Sequence, residues 1–132
     1  MEYVDKPNGA TSDEIENLES SIKVTLPNDY KKLLLESDGP ILYFGHKELQ
    51  FFSVGEILGE DIYQLKKYMP NCFPICLDGN SNICVAKIEN RKIIGFYVAP
   101  TSNIGWDDAK YITESFQEFI TDALSPEKKV YA

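Results

Sequence analysis

The sequence predicts a single α+β domain, in which an antiparallel sheet of about five or six strands packs against two N-terminal helices and one C-terminal helix. Three observations support this fold. The chain has 132 residues, a length at which a domain buries roughly two-thirds of the surface of its unfolded chain. Helical patterns stand at the two ends of the sequence and strand patterns lie between them. Short turns such as Asp78-Gly79 separate successive strands, and short turns join antiparallel strands.

The first helix is predicted to begin after Thr11. Glu14 follows three residues later, so the two side chains can form a capping box. Apolar residues then recur at helical spacing, at Ile15, Leu18 and Ile22. These three side chains are expected to face the core.

The second helix is predicted to begin at Leu26-Pro27, because the missing N–H of proline would be unpaired in the first turn anyway. Tyr30, Leu33 and Leu34 form the apolar stripe of this helix. Asp38-Gly39 is expected to end it, since glycine adopts the left-handed conformation without a penalty from Cβ.

Strand patterns occupy the middle of the chain, where short runs of aromatic and β-branched residues alternate with turn residues. Ser53 and Glu56 can form a second capping box, which predicts a short helix between two of these runs. Residues 61–68 are predicted to form another turn or two of helix, with Ile62 and Leu65 facing inward. The predicted strands cover residues 41–44, 49–52, 73–77, 83–88 and 92–98.

The last helix is predicted over residues 113–124, after a loop at residues 101–108. The domain is therefore placed at residues 11–125. Residues 1–10 and 126–132 are interpreted as an N-terminal and a C-terminal tail. The predicted core residues, each of which lies on an apolar stripe, are Leu26, Tyr30, Leu33, Leu34, Ile75, Phe116 and Ile120.

The composition is that of a globular protein with a strongly negative surface. The net charge is -8 at pH 7 and 43% of the residues are apolar. Such a surface repels phosphates and anionic lipids, so direct binding to nucleic acid or to a membrane is not expected. A basic protein partner is favoured by the same charge. No apolar run approaches the ~20 residues that span a bilayer.

The cysteine pattern indicates reduced thiols. Cys72, Cys76 and Cys84 cannot all pair within one chain, and the N-terminus lacks the basic and apolar segments of a signal peptide. The chain is therefore interpreted as cytoplasmic.

No cofactor or metal is expected from the sequence. The cysteines lack the paired spacing of structural zinc sites, and His46 is the only histidine. Residues 78–89 place oxygen ligands much as a calcium loop does. However, Ile83 stands where the sharp turn of that loop requires glycine, so a β-turn is favoured there.

Three segments resemble the SUKH superfamily, which is named partly for a yeast cell-wall assembly regulator. Residues 26–39 are similar to the family's Leu-Pro-x-x-Tyr helix, which ends in a polar residue and glycine. Residues 51–57 are similar to its strand followed by a capped Glu-Ile turn. Residues 73–79, with residues 115–120 much later, are similar to its central strand pair and closing helix. Together the segments span most of the chain in the family's order.

The resemblance implies a protein-binding domain without catalysis. Bacterial members of this superfamily are mostly immunity proteins, which bind and neutralise a toxin that is often a nuclease or a deaminase. A cognate protein toxin, basic in charge, is therefore the expected partner. The alternative is an intracellular regulatory or scaffold adaptor with no toxin partner, as in the eukaryotic relatives. The sequence carries no nucleophile elbow, phosphate-binding loop or dinucleotide fingerprint, so an enzyme is not expected.

Two segments supply the candidate partner-binding residues. Trp106 and Tyr111 are residue types enriched at binding hot spots, and Asp107 and Asp108 could meet a basic toxin. The alternative is that Trp106 caps the edge of the core and the two aspartates belong to a solvated loop. The second segment is the turn after the strand at residues 73–77, with the candidates Asp78, Asn80 and Asn82.

Overall fold

The computed structural model describes residues 2–45 and 47–124, the last four as backbone only. Seven strands form one antiparallel sheet, and their order across the sheet follows the chain. The strands are β1 (Glu2–Asp5), β2 (Ile41–Tyr43), β3 (Glu48–Phe51), β4 (Cys72–Leu77), β5 (Asn82–Glu89), β6 (Lys92–Pro100) and β7 (Lys110–Thr113). The predicted α+β class and the antiparallel sheet are confirmed, and the sheet has more strands than expected.

The described part of the chain contains five helices and one 3-10 turn, none of which is long and apolar enough to cross a membrane. Both predicted capping boxes are present. The Thr11 hydroxyl accepts from the Glu14 N–H at 3.1 Å, and the Ser53 hydroxyl accepts from the Glu56 N–H at 3.1 Å. The helices are α1 (Ser12–Ile22), α2 (Asn28–Glu36), α3 (Val54–Leu58), α4 (Leu65–Tyr68) and α5 (Phe116–Leu124), and the 3-10 turn is Trp106–Asp108.

The two faces of the sheet carry different apolar clusters, because neighbouring strand residues point to opposite sides. Cys84 and Ala86 of β5 lie in the larger cluster, which contains the buried side chains of α1, α2 and α5. Ile83 and Val85 lie in a smaller cluster, which contains Leu65 of α4. We call these the helix face and the second face. The second face is the one on which the candidate functional surface lies.

Most of the predicted core residues are confirmed as buried, and two are only partly buried. Leu33 and Ile120 lie at the edge of the helix-face cluster and pack against it. Five are fully enclosed there, namely Leu26, Tyr30, Leu34, Ile75 and Phe116.

The two edges of the sheet correct the predicted boundaries. Residues 2–5, interpreted as part of a tail, form β1 and pair with β2. Strand β7 replaces the start of the predicted last helix, which begins at Phe116 and not at residue 113. Both strands are short and rich in polar residues, so they lack the alternation that identifies a half-buried strand. The predicted C-terminal tail lies outside the described residues.

The segment before α4 also departs from the prediction. Leu65 is buried as expected, but Ile62 is 73% exposed and does not face inward. The Asp61 carboxylate accepts the N–H groups of Leu65 at 2.9 Å and Lys66 at 3.0 Å. This side-chain cap starts the helix late, so residues 61–64 form a turn whose apolar residue points to solvent.

Candidate protein-binding surface

Three aromatic rings form a platform on the second face, where β6 meets β7. Tyr97 and Tyr111 are direct cross-strand partners, and their ring centroids lie 5.5 Å apart at an interplanar angle of 70°. The Trp106 ring packs against the other side of this group, 5.1 Å from Tyr97 at 81°. Edge-to-face contacts of this kind are the preferred arrangement of aromatic pairs. We call Tyr97, Trp106 and Tyr111 the aromatic platform.

Gly95 makes room for the platform. A Cβ atom at this position would lie 2.9 Å from Cε1 of Tyr111 and 3.1 Å from Cε1 of Tyr97. Both distances are shorter than ordinary van der Waals contacts. The two tyrosine rings can therefore lie close to the backbone of β6 only because residue 95 has no side chain.

A lysine of the protein already lies against the platform. The ammonium group of Lys87, on β5, is 4.7 Å from the centroid of the Trp106 ring and 5.6 Å from that of Tyr97. The negative face of an aromatic ring attracts a cation at this range. The platform thus has the geometry and the chemistry to hold a positive charge.

Trp106 is the fixed member of the platform, and Tyr111 is the accessible one. The indole N–H of Trp106 donates to the backbone oxygen of Pro70 at 3.1 Å, and the ring is half-buried against the smaller apolar cluster. Tyr111 is 52% exposed. The expected alternative, in which Trp106 caps the edge of a core, therefore describes part of its role, while Tyr111 presents an aromatic surface to solvent.

Two glutamates act electrostatically on the accessible ring. Reduced hydration raises the pKa of the Tyr111 hydroxyl, and the negative charge of Glu114, the Tyr97 hydroxyl and the charge of Glu118 raise it further. Asp107 and Asp108 are both exposed in the 3-10 turn before β7. Asp108 accepts a hydrogen bond from the side-chain amide of Asn103, which orients it within the loop.

The second predicted segment has a different character. Asp78 is only 2% exposed, and its carboxylate oxygens are occupied within its own turn. Asn82 is half-buried as the donor to that carboxylate, whereas Asn80 is exposed. Of the three candidates in this turn, Asn80 is the one whose side chain is exposed.

The loop that leads to Trp106 begins next to the Asp78 turn. The N–H and the hydroxyl of Thr101, at the end of β6, donate to the backbone oxygen of Ser81 at 2.8 and 3.0 Å. The loop after Thr101 then runs back over the second face, where the Trp106 indole N–H donates to the Pro70 backbone oxygen. The start of this loop therefore lies next to the Asp78 turn, whereas the aromatic platform, which includes Trp106 and Tyr111, lies over the middle of the sheet and its β7 edge.

An open groove of about 1130 Å³, which the sequence did not indicate, lies between the end of α1, the segment from α3 to α4 and the start of β4. Acidic and basic side chains line it in similar number, so the groove has no marked preference for a charged partner. These side chains are Lys23, Glu56, Glu60, Asp61, Lys66 and Arg91. Ile62, which follows Glu60 and Asp61, lines this groove although it was predicted to face the core.

Metal-ligating side chains do not converge within residues 2–45 and 47–124, where no three of His, Cys, Asp and Glu come together as a set that could hold an ion. Cys72, Cys76 and Cys84 are present as thiols and not as disulfides. The oxygens of Asp78, which the calcium-loop pattern would require as ligands, accept hydrogen bonds from the backbone of the same turn. His46 lies outside the described residues.

No curated protein matches the chain significantly. The sequence profile of the family described as SMI1 / KNR4 (SUKH-1) matches residues 9–122, which is most of the chain. The resemblance seen in the three sequence segments is confirmed by this match, and the chain belongs to the SMI1 / KNR4 family (SUKH-1).

Proposed function

We propose that this protein is a non-catalytic binding domain that acts as an immunity protein, binding and neutralising a basic bacterial toxin of the nuclease or deaminase type. The observation that carries the proposal is the position of Tyr111. It is 52% exposed, rests on Tyr97 and lies within the field of Glu114 and Glu118. Membership of the SUKH-1 family supports a protein-binding role.

The physical case begins with the shape of the platform. A hot-spot residue gives most affinity when its side chain is already held in the bound conformation, because less rotamer entropy is lost on binding. Contacts with Tyr97 and the backbone of Gly95 restrain the Tyr111 ring in this way. Trp106, anchored on Pro70, supports the same group of rings.

Electrostatics support a basic partner. The chain carries a net charge of -8, and the exposed aspartates of the 3-10 turn stand beside the platform. Complementary charges raise the association rate and exclude acidic competitors. A toxin that acts on nucleic acid needs a basic surface for its own substrate, and an acidic, aromatic-containing surface is suited to cover it.

The test is growth rescue with the toxin encoded beside this protein's gene. A host that expresses the toxin should grow only when this protein is co-expressed. Tyr111→Ala should weaken the complex about tenfold or more in calorimetry, as expected for a hot-spot tyrosine. The matched control is Tyr43→Ala. Tyr43 is 40% exposed and lies on β2, near the edge of the sheet opposite to β7.

The outcome of this test also separates the immunity function from the alternative. Rescue by the parent and by Tyr43→Ala, with loss of rescue by Tyr111→Ala, supports both the function and the surface. Rescue by all three proteins keeps the function and rejects the surface. If the toxin kills regardless of this protein and does not bind it, the adaptor function takes the place of the immunity function.

A further inference from the structure

We propose that Tyr97 and Trp106 form a cation site that Lys87 fills in the free protein, and that an arginine side chain of the basic partner displaces Lys87 when the partner binds. This inference deepens the proposed function, on which it rests for the nature of the partner. It makes Lys87 an internal competitor for one site on the aromatic platform.

The site is a corner between two nearly perpendicular rings. Tyr97 and Trp106 meet at 81°, with their centroids 5.1 Å apart. The Lys87 ammonium group lies 5.6 Å from the centroid of Tyr97 and 4.7 Å from that of Trp106. Both distances are within the range of a cation–π interaction, so a cation in this corner is attracted by two rings at once.

Gly95 keeps the approach to the corner open. It is the direct cross-strand partner of Lys87, and it has no side chain to stand between the lysine and the rings. Lys87 therefore reaches the corner across β6, and its side chain is only half-buried. A half-buried lysine can turn towards solvent, and the space that it leaves over Gly95 admits a side chain of similar length from a partner.

Lys87 is held in the corner weakly. Its ammonium group forms no hydrogen bond and no ion pair with the residues that the structure describes. The two rings are therefore what holds it. A cation–π contact at an exposed position favours the bound state only about 2- to 5-fold. Lys87 thus leaves the corner for part of the time.

The chemistry of the corner favours arginine over lysine. A guanidinium group is planar, stacks on aromatic faces and is more weakly hydrated than an ammonium group. Exchange of Lys87 for an arginine therefore brings the more easily desolvated cation onto the rings and returns the more strongly hydrated one to water. The surrounding charge attracts the arginine, because the chain carries a net charge of -8 and Asp107 and Asp108 are exposed next to Trp106 in the sequence.

The experiment titrates the full chain with hexaarginine and, separately, with hexalysine. It follows the fluorescence of Trp106, which is the only tryptophan in the sequence. Neither peptide contains an aromatic residue, so the signal comes from the corner. The two peptides carry the same charge. We expect hexaarginine to change the emission of Trp106 at a lower concentration than hexalysine does.

Lys87→Met tests the competition directly, because methionine keeps an unbranched side chain and removes the charge. If Lys87 fills the corner as an exposed cation–π contact allows, the corner is open in about a sixth to a third of the molecules. The variant should then bind hexaarginine roughly 3- to 6-fold more tightly than the parent. The matched control is Lys92→Met, which removes the charge of an exposed lysine on β6 and leaves the corner filled. At ~0.15 M salt its affinity should differ from that of the parent by less than about twofold.

Three outcomes would overturn the inference. The first is an equal gain of affinity in Lys87→Met and Lys92→Met, which would mean that net charge alone governs peptide binding. The second is an emission of Trp106 that hexaarginine leaves unchanged. The third is equal titration curves of the two peptides with the parent chain, a comparison that needs no variant to fold.

Failure of this inference is distinct from failure of the immunity function, since no toxin is present in the titration. A toxin neutralised by a protein whose Trp106 does not respond to hexaarginine rejects only the cation site. Displacement of Lys87 by the peptide without any neutralised toxin rejects only the immunity function.

Discussion

Asp78 and Asn82 form a closed hydrogen-bonded unit at the turn between β4 and β5. The Asp78 carboxylate accepts the side-chain amide of Asn82 at 2.8 Å and its backbone N–H at 3.2 Å. The same carboxylate accepts the N–H of Asn80 at 2.7 Å. A buried carboxylate with this many donors stabilises the conformation of its turn. Asp78 is therefore a structural residue, although its sequence context predicted a partner-binding one.

Replacing Asp78 by alanine should lower the free energy of unfolding by about 2–4 kcal/mol, because three donors of the turn lose a charged acceptor. Lys47 would be affected too. Burial lowers the pKa of its ammonium group, and the negative charge of Asp78 opposes that shift. Urea unfolding measures the effect. The control is Asp107→Ala, at an exposed carboxylate, which should change stability by less than about 0.5 kcal/mol. Equal stability of the two variants would contradict the structural role of Asp78.

Tyr30→Phe should leave the stability unchanged or raise it by up to about 1 kcal/mol. The Tyr30 ring packs 5.1 Å from Phe116 and 6.3 Å from Phe73, and its hydroxyl has no hydrogen-bond partner among the residues that the structure describes. Removing a buried polar group without a partner removes its desolvation cost, while the aromatic contacts remain. Thermal unfolding of the parent and the variant measures the change in stability. A loss of more than about 1 kcal/mol would mean that the hydroxyl makes a hydrogen bond in solution.

Local patterns were predictable from the sequence, and features that depend on distant residues were not. The capping boxes at Thr11 and Ser53 were found because each is complete within four residues. The close approach of Tyr111 to Gly95 depends on the pairing of β6 with β7, whose register shifts between Phe96 and Tyr97. A strand of four residues gives no periodic signal from which that register could be read.

The candidate site shows the same limit. Its residue types were predictable, because aromatic and acidic residues are adjacent in the sequence. Their roles were not, since Trp106 is anchored by a backbone oxygen 36 residues away and Asp78 is buried. The sequence alone could therefore not identify Tyr111 as the accessible member of the group.

Alkaline pH should destabilise the protein through its buried thiols. Burial raises the pKa of Cys72 to about 12, and the charge of Asp61 contributes. An unfolded cysteine ionises near pH ~8.5, so the folded state holds a proton that the unfolded state loses. The stabilisation is complete below that pH and disappears as the pH rises towards the folded pKa. Its slope approaches about 1.4 kcal/mol per pH unit for one group.

Urea unfolding at several pH values between pH ~8 and ~11 tests this expectation. Cys72→Ala should lose less stability than the parent over this interval, because one of the groups with a raised pKa is absent. Its stability at neutral pH can differ, since the Cys72 thiol donates to the Met69 backbone oxygen at 3.0 Å. The comparison therefore concerns the slopes. Parallel slopes for the two proteins would show that Cys72 is accessible in the folded state.

Neutralising the aspartates of the 3-10 turn should slow association with a basic partner and leave dissociation nearly unchanged. In the double variant Asp107→Asn with Asp108→Asn, residue 108 keeps an oxygen that can accept from Asn103, so the loop retains its hydrogen bond. Rim charges act mainly on the encounter, so we expect the association rate with the toxin to fall roughly 3- to 10-fold at low salt. The parent and the variant should converge above ~0.3 M salt, where charges are screened over less than about 6 Å. Stopped-flow measurements give both rates.

The matched control removes two exposed charges from α1, as Asp13→Asn with Glu16→Gln. An equal loss of rate in this control would mean that the total charge steers the partner, and an unchanged rate in the 3-10 turn variant would place the encounter surface elsewhere.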